Sequence, residues 1–250
     1  MLDLHELTTY CDRMLNIAAF DDYCPNGLQV ESGGEVRLIV SGVTASQALV
    51  DAAIDAHADV LLVHHGYFWR GEPAPLTGLK GRRIAALLRH DVSLLAYHLP
   101  LDAHAEVGNN RQLGERLGLA ASAGPLAEGS LVWAAGLETP LNAGTLRRRI
   151  ADALGREPLH IAASDRPIMR VAWCSGGAQG FIEQAAAAGA RAYISGEISE
   201  QTTHLARELD IHYFAAGHHA TERYGVQALG AHLAARFGLE HRYIEISNPA

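Results

Sequence analysis

Short apolar runs alternate with amphipathic stretches along this chain, and that alternation limits what it can fold into. Val36–Val43, Val60–Val63 and Val92–Tyr97 are rich in branched apolar residues, as buried strands are. Between them, Ser46–His57 and Gly81–His90 repeat their apolar residues at helical spacing, and Thr44 or Ser46 is placed to cap the first. Strand and helix in alternation require parallel crossovers and a layered α/β fold with mixed sheets. A helix over Leu4–Ala18 precedes this block, and Asp22-Tyr23-Cys24-Pro25-Asn26-Gly27 reads as a turn.

The pattern restarts after Gly124-Pro125. Ser130–Leu137, Leu159–Ala163, Arg170–Cys174, Ala192–Ile194, His212–Ala215 and His241–Ile246 read as strands. Thr145–Leu154, Ala178–Ala188, Ser199–Leu209 and Thr221–Phe237 read as helices, and Asn109-Asn110 as a helix start. The halves resemble one another. Leu38–Gly42 lies over Arg170–Cys174, and Ala58–Leu62 over Ala190–Ile194, both at an offset of 132. His98-x-x-x-Asp102 has its counterpart in His218-x-x-x-Glu222 at an offset of 120. The expected organisation is two similar α/β subdomains, residues 1–125 and 126–250, facing each other across a cleft of the kind that holds ligands.

Composition narrows the function classes. The 250 residues are 48% hydrophobic, enough to bury a core. Twenty basic residues against 28 acidic ones leave a net charge of −8, which argues against direct nucleic-acid binding. No run of apolar residues is long enough to cross a membrane as a helix. The start, Met1-Leu2-Asp3-Leu4-His5-Glu6, has neither a basic region nor an apolar one, so a cytoplasmic location is expected. Cys11, Cys24 and Cys174 are few and widely spaced, which supports no disulfide framework and no thiolate zinc knuckle. Histidine is the surplus, with 14 in the chain.

Several of these histidines stand where strands end. His64-His65 follows the strand Val60–Val63, at the carboxyl edge where ligands bind in open α/β sheets. His98-Leu99-Pro100-Leu101-Asp102 follows Val92–Tyr97, and Pro100 argues for a loop presenting His98 and Asp102. Gly217-His218-His219-Ala220-Thr221-Glu222 follows His212–Ala215, with His218 and Glu222 one helical turn apart. The candidates are therefore His64, His65, His98, Asp102, His218 and Glu222. Imidazole and carboxylate together suit Zn²⁺, Mn²⁺, Fe²⁺, Co²⁺ or Ni²⁺. Six candidates exceed what one catalytic zinc needs, whereas two ions sharing a bridging carboxylate would use them.

Leu61–Trp69, His98–Asp102 and Ala216–Arg223 resemble the dinuclear-metal family known as GTP cyclohydrolase I type 2 homologues, or NGG-interacting-factor-three-like proteins. Asn26-Gly27-Leu28-Gln29-Val30 is similar to its N-terminal motif and Ser195-Gly196-Glu197 to its second-half motif, with Glu197 where the family often has Asp. The resemblance runs from about Asp22 to Asn248, in the family's short form. It implies metal ligands at His64, His65, Asp102, His218 and Glu222, with Glu222 bridging, and His98 beside the metals. It also implies two similar α/β layers and a toroidal homohexamer.

A metal-dependent hydrolase is the function expected. Two divalent ions carry +4 and two carboxylates return −2, so the site would attract a nucleotide or other anionic small molecule. A metal-bound hydroxide would attack it, as a cyclohydrolase, amidohydrolase or phosphoesterase does. His98 is the residue expected to move the proton. A non-catalytic metal-binding regulator or scaffold is the alternative from a different class.

Overall fold

Asp3 starts the first helix, its carboxylate accepting the backbone N–H groups of His5 and Glu6 at 2.9 and 3.1 Å. Asn16 ends that stretch by turning left-handed, so the helix expected to reach Ala18 stops at Met14. Local capping of the same kind recurs where Ser46 Oγ accepts from Leu49 and Asn142 Oδ1 from Thr145. The computed structural model describes residues 2–250.

In chain order the elements are β1 (Leu2–Asp3), α1 (Leu4–Met14), β2 (Gly27–Val30), β3 (Glu35–Val36), β4 (Leu38–Thr44), α2 (Gln47–Asp55), β5 (Val60–His65), α3 (Gly78–Arg89), β6 (Ser93–Ala96) and α4 (Leu99–Ala103). There follow α5 (Asn109–Arg116), β7 (Gly124–Pro125), β8 (Trp133–Leu141), α6 (Ala143–Leu154), β9 (Leu159–Ile161), β10 (Ile168–Trp173) and α7 (Ile182–Ala187). The chain ends with β11 (Ala192–Ser195), α8 (Glu200–Glu208), β12 (His212–Ala215), α9 (His218–Phe237) and β13 (Glu240–Tyr243). The chain divides into two units, residues 1–108 with 225–247 and residues 109–224 with 248–250. The sequence pattern placed a single boundary at 125/126. Gly124-Pro125 instead forms a strand paired with β8, and Gly225–Ser247 is grouped with the N-terminal residues.

The first unit has a five-stranded sheet in the order β13-β4-β5-β6-β2. β13, β4, β5 and β6 are parallel, and β2 closes the edge antiparallel to β6. Alternate residues of a strand enter different cores. Val60 and Leu62 join Leu7, Leu95 and Leu229 in one, whereas Leu61 and Val63 join Leu49, Leu87 and Leu94 in the other. A sheet covered on both faces explains why these strands read as unbroken apolar runs.

The second unit has a six-stranded sheet in the order β7-β8-β10-β11-β12-β9. β10, β11 and β12 are parallel, and β7, β8 and β9 pair antiparallel with their neighbours. Trp173, Ile194 and Phe214 fill one core, and Ala172, Tyr193 and Tyr213 the other.

The internal repeat is a repeat of register. Ile39 pairs with Val60 and Val171 with Ala192, so an offset of 132 maps both partners at once. Leu28 pairs with Leu95 and His160 with Phe214, which extends the 132 offset to β2 and β9, while β6 maps onto β12 at 119. β2 escaped the sequence reading, which saw only its turn-like start. Its pairing with β6 is a tertiary contact that no local pattern shows. Among the described residues no helix is long and apolar enough to cross a membrane.

Candidate metal-binding site

β5 is flanked by β4 and β6, and it carries His64 and His65 as its own last residues rather than just beyond its end. Neighbouring residues of a flat strand point apart, yet these two ring centroids lie 4.6 Å from each other. His64 is fully buried, and its Nδ1 meets the Tyr97 carbonyl oxygen at 2.8 Å. A carbonyl only accepts, so Nδ1 carries the hydrogen and the neutral ring keeps its lone pair on Nε2. That Nε2 lies 3.5 Å from Asp102 Oδ1. His65 Nδ1 contacts Thr44 Oγ1 at 3.1 Å across the adjacent strand.

His98 caps α4, and its backbone N–H donates to Asn26 Oδ1 at 2.7 Å. His98 Nδ1 is 2.7 Å from Asp22 Oδ1. One ring nitrogen from each of His64, His65 and His98 lies within 4.8 Å of the others, close enough to hold a metal ion. The stretch after His98 is a short helix, not the expected loop. Pro100 falls in its first turn, where a missing N–H costs nothing, and the buried Asp102 sits within it.

The corresponding edge of the second unit holds the other candidates. α9 begins at His218, three residues earlier than expected, so His218 and Glu222 share a helical face. His218 Nε2 is 3.0 Å from Glu222 Oε2, and its Nδ1 is 2.7 Å from Glu197 Oε1. Burial alone would lower the His218 pKa, but the Glu222 and Glu197 carboxylates outweigh it and push it up to about 9. Glu197 therefore lies in this cluster. His204 pairs with Glu200 on the exposed side of α8.

Glycines shape this edge. Gly176, Gly196 and Gly217 each stand just past a parallel strand, laced by Gly196 N–H to the Gly176 carbonyl at 2.8 Å and Gly217 N–H to the Gly196 carbonyl at 2.9 Å. A Cβ at Gly176 would overlap Glu222 Oε1, and one at Gly196 would lie 2.7 Å from His218 Cα. Only glycine lets the helix start come this close.

The sequence model of the Duf34/NIF3 (NGG1p interacting factor 3) family matches residues 2–249. The chain belongs to the Duf34/NIF3 family. A relative from Pseudomonas aeruginosa named GTP cyclohydrolase 1 type 2 homolog is 58% identical, over 99% of this chain and 98% of its own length. One of the same name from Allochromatium vinosum is 54% identical over 100% and 98%. Among solved structures, the protein ybgI, described as of unknown function, is 47% identical with a TM-score of 0.94, covering all of both chains. TTHA1606 from Thermus thermophilus is 34% identical with a TM-score of 0.91, again over all of both chains.

In this Duf34/NIF3 chain the Asn-Gly-Leu-Gln motif works as a bracket. Asn26 takes the His98 N–H, while Gln29 Oε1 accepts from the Tyr67 N–H at 2.7 Å and Gln29 Nε2 donates to the Pro25 carbonyl at 2.8 Å. The segments that follow β5 and β6 are thus both tied to Asn26–Gln29. Sequence reasoning missed Asp22, Thr44, Tyr97 and Gly176. The glycine recurring just past the three parallel strands of the second unit was the one local hint.

Proposed function

We propose that this protein binds two divalent metal ions and is a metal-dependent hydrolase of a nucleotide or other small anionic substrate. The proposed ligands are His64, His65, Asp102, His218 and Glu222, with Glu222 bridging, and His98 moves the proton.

The observation that carries this reading is the buried pair of His64 and Asp102. With Nδ1 already donating to Tyr97, a neutral His64 turns its lone pair on Nε2 toward a carboxylate oxygen 3.5 Å away. Two electron-rich atoms in a site shielded from water favour a cation between or beside them. The rest of the donor set agrees. Imidazoles whose far nitrogen is fixed by an oxygen are the usual form of a metal-binding histidine, and His218 has Glu197 in that role. The proposed ligand set holds no sulfur; Cys24, which lies with Asp22 and His98 in a group that could hold a metal ion, has its thiol pushed up to about 12 by burial and then by the charge of Asp22. Bound divalent ions would supply Lewis acidity and make a coordinated water more acidic.

The residues of the chain do the remaining work. Tyr97 and Glu197 orient the imidazoles, and Asp102 and Glu222 are the proposed carboxylate ligands. The shared name of the relatives makes nucleotides the first substrates to try. Elemental analysis of the purified protein tests the reading, with Glu222→Ala as comparison. About two divalent ions per chain, lost in the variant, is the expected result. No metal in either protein after incubation with Zn²⁺, Mn²⁺ or Fe²⁺ would overturn it. Full metal occupancy without turnover of any nucleotide or phosphoester would favour a non-catalytic metal-binding role.

A further inference from the structure

Asp22 sits in the turn before β2, far in sequence from every strand end, yet its carboxylate is among the most elaborately held groups of the first unit. Four donors converge on it. Tyr23 N–H and His98 Nδ1 reach Oδ1 at 2.6 and 2.7 Å, and Asn26 Nδ2 and Leu99 N–H reach Oδ2 at 2.9 and 3.0 Å. The side chain is only 3% exposed. Burial would raise its pKa, but the hydrogen bonds from His98, Asn26 and Leu99 hold it down to about 2. A carboxylate that stays ionised cannot donate to an imidazole, so the nitrogen facing it carries the hydrogen.

We propose that Asp22 is a positioning residue that locks His98 in the Nδ1–H tautomer, so that Nε2 is the nitrogen of His98 able to accept a proton. Three features fix the ring besides this bond. The His98 backbone N–H is held by Asn26, whose amide in turn donates to Asp22. Trp69 packs edge-on against the ring with centroids 5.0 Å apart, and Tyr23 tilts against it at 5.8 Å. None of the hydrogen-bond partners of the Asp22 carboxylate is among the five proposed metal ligands. The catalytic consequence rests on the reading of His98 as the proton carrier, whereas the tautomer does not.

The chemistry singles out Asp22→Asn. Every partner of Asp22 approaches as a donor, and an amide offers one accepting oxygen. With its NH₂ toward Leu99 and Asn26 the variant meets two donors that have no acceptor to give, Asn26 Oδ1 being taken by His98. With the NH₂ toward Tyr23 and His98, the imidazole alone can reverse its role, by accepting at Nδ1 and carrying its hydrogen on Nε2.

Long-range ¹H–¹⁵N correlation spectra of full-length protein labelled with ¹⁵N-histidine read this directly, at a pH where the ring is neutral. His98→Gln assigns the signals. The expected result is an Nδ1–H pattern for His98 in the native protein and an Nε2–H pattern in Asp22→Asn, with metal content unchanged. An Nε2–H pattern in the native protein, or no inversion in the variant, would overturn the proposal. Should Asp22→Asn fail to fold, the native spectrum alone decides. With Zn²⁺- or Mn²⁺-loaded protein and bis(p-nitrophenyl) phosphate as probe, the inverted tautomer is expected to lower turnover about 10²-fold or more. Equal rates with an inverted tautomer would remove the catalytic consequence. A native protein without metal would instead remove the hydrolase reading and leave the tautomer result standing.

Discussion

The two units share four strands in the same order and register, and they differ in the side chains carried at and after the strand ends. At the offset of 132, His64-His65 of the first unit corresponds to Gly196-Glu197 of the second, and Thr44 corresponds to Gly176. His98 and Asp102 correspond to His218 and Glu222 at 120. Both imidazoles that follow the third strand have Nδ1 against a carboxylate at 2.7 Å, but Asp22 supplies it from a turn in one unit and Glu197 from a strand end in the other. The ladder is therefore the shared part, and the donors are interchangeable cargo on it. Thr44 and His65 are themselves a ladder pair, and the pairing tolerates exchange of their side chains because it uses only main-chain groups.

The cores differ as well, and this gives the largest expected effect. Trp173 is fully buried against Gly114, while its counterpart Ser41 is buried with its hydroxyl 2.7 Å from His241 Nε2. Trp173→Ala should cost about 3–5 kcal/mol in urea denaturation through the cavity it leaves. A loss under 1 kcal/mol would mean the second unit does not depend on this packing. Next comes Gly176→Ala, which combines a positive φ of 65° with overlap onto Glu222. The loss expected is about 2–4 kcal/mol, against less than about 0.5 for Gly180→Ala, where a Cβ meets nothing within 4 Å. Equal costs at the two glycines would contradict the close approach of α9. Asn26→Ala removes the acceptor of the His98 N–H and a donor to Asp22, at about 1–2 kcal/mol. Hydrogen exchange of the His98 amide should speed up with it, and an unchanged rate would break the bracket.

The smallest effect is on pH dependence. Burial holds His241 below its ordinary value of 6.5, so the folded first unit takes up this proton less readily than the unfolded chain. That stability is complete above pH 6.5 and is lost as the pH falls. In the metal-free protein the His218 shift has the opposite sign, its contribution being complete below pH 6.5 and lost as the pH rises through about 9. Urea midpoints of metal-free protein from pH 5 to 10 should fall at both ends, with the alkaline loss absent in His218→Gln. A midpoint still rising through pH 9 would contradict the His218 assignment, and one that does not fall toward pH 5 would contradict that of His241.

Much of this was legible in the sequence. Alternating apolar runs located the parallel strands, and the offset of 132 anticipated the register shared by the units. The six candidate residues fell into two clusters at corresponding edges, because a residue that ends a central parallel strand has few places to go. What was not legible depended on partners distant in sequence. Asp22 looked like any turn aspartate because its partner lies 76 residues away. Gly27–Val30 became a strand through pairing with β6, and Pro100 sits in a helix because the first turn needs no N–H from it.

X-ray absorption spectroscopy of the metal-loaded native protein is the most direct test of the central claim that strand-end imidazoles and carboxylates hold divalent ions. Nitrogen and oxygen neighbours with the outer-shell scattering of imidazole rings, and no sulfur, is the result predicted. Sulfur at the metal, or a metal without imidazole scattering, would contradict it.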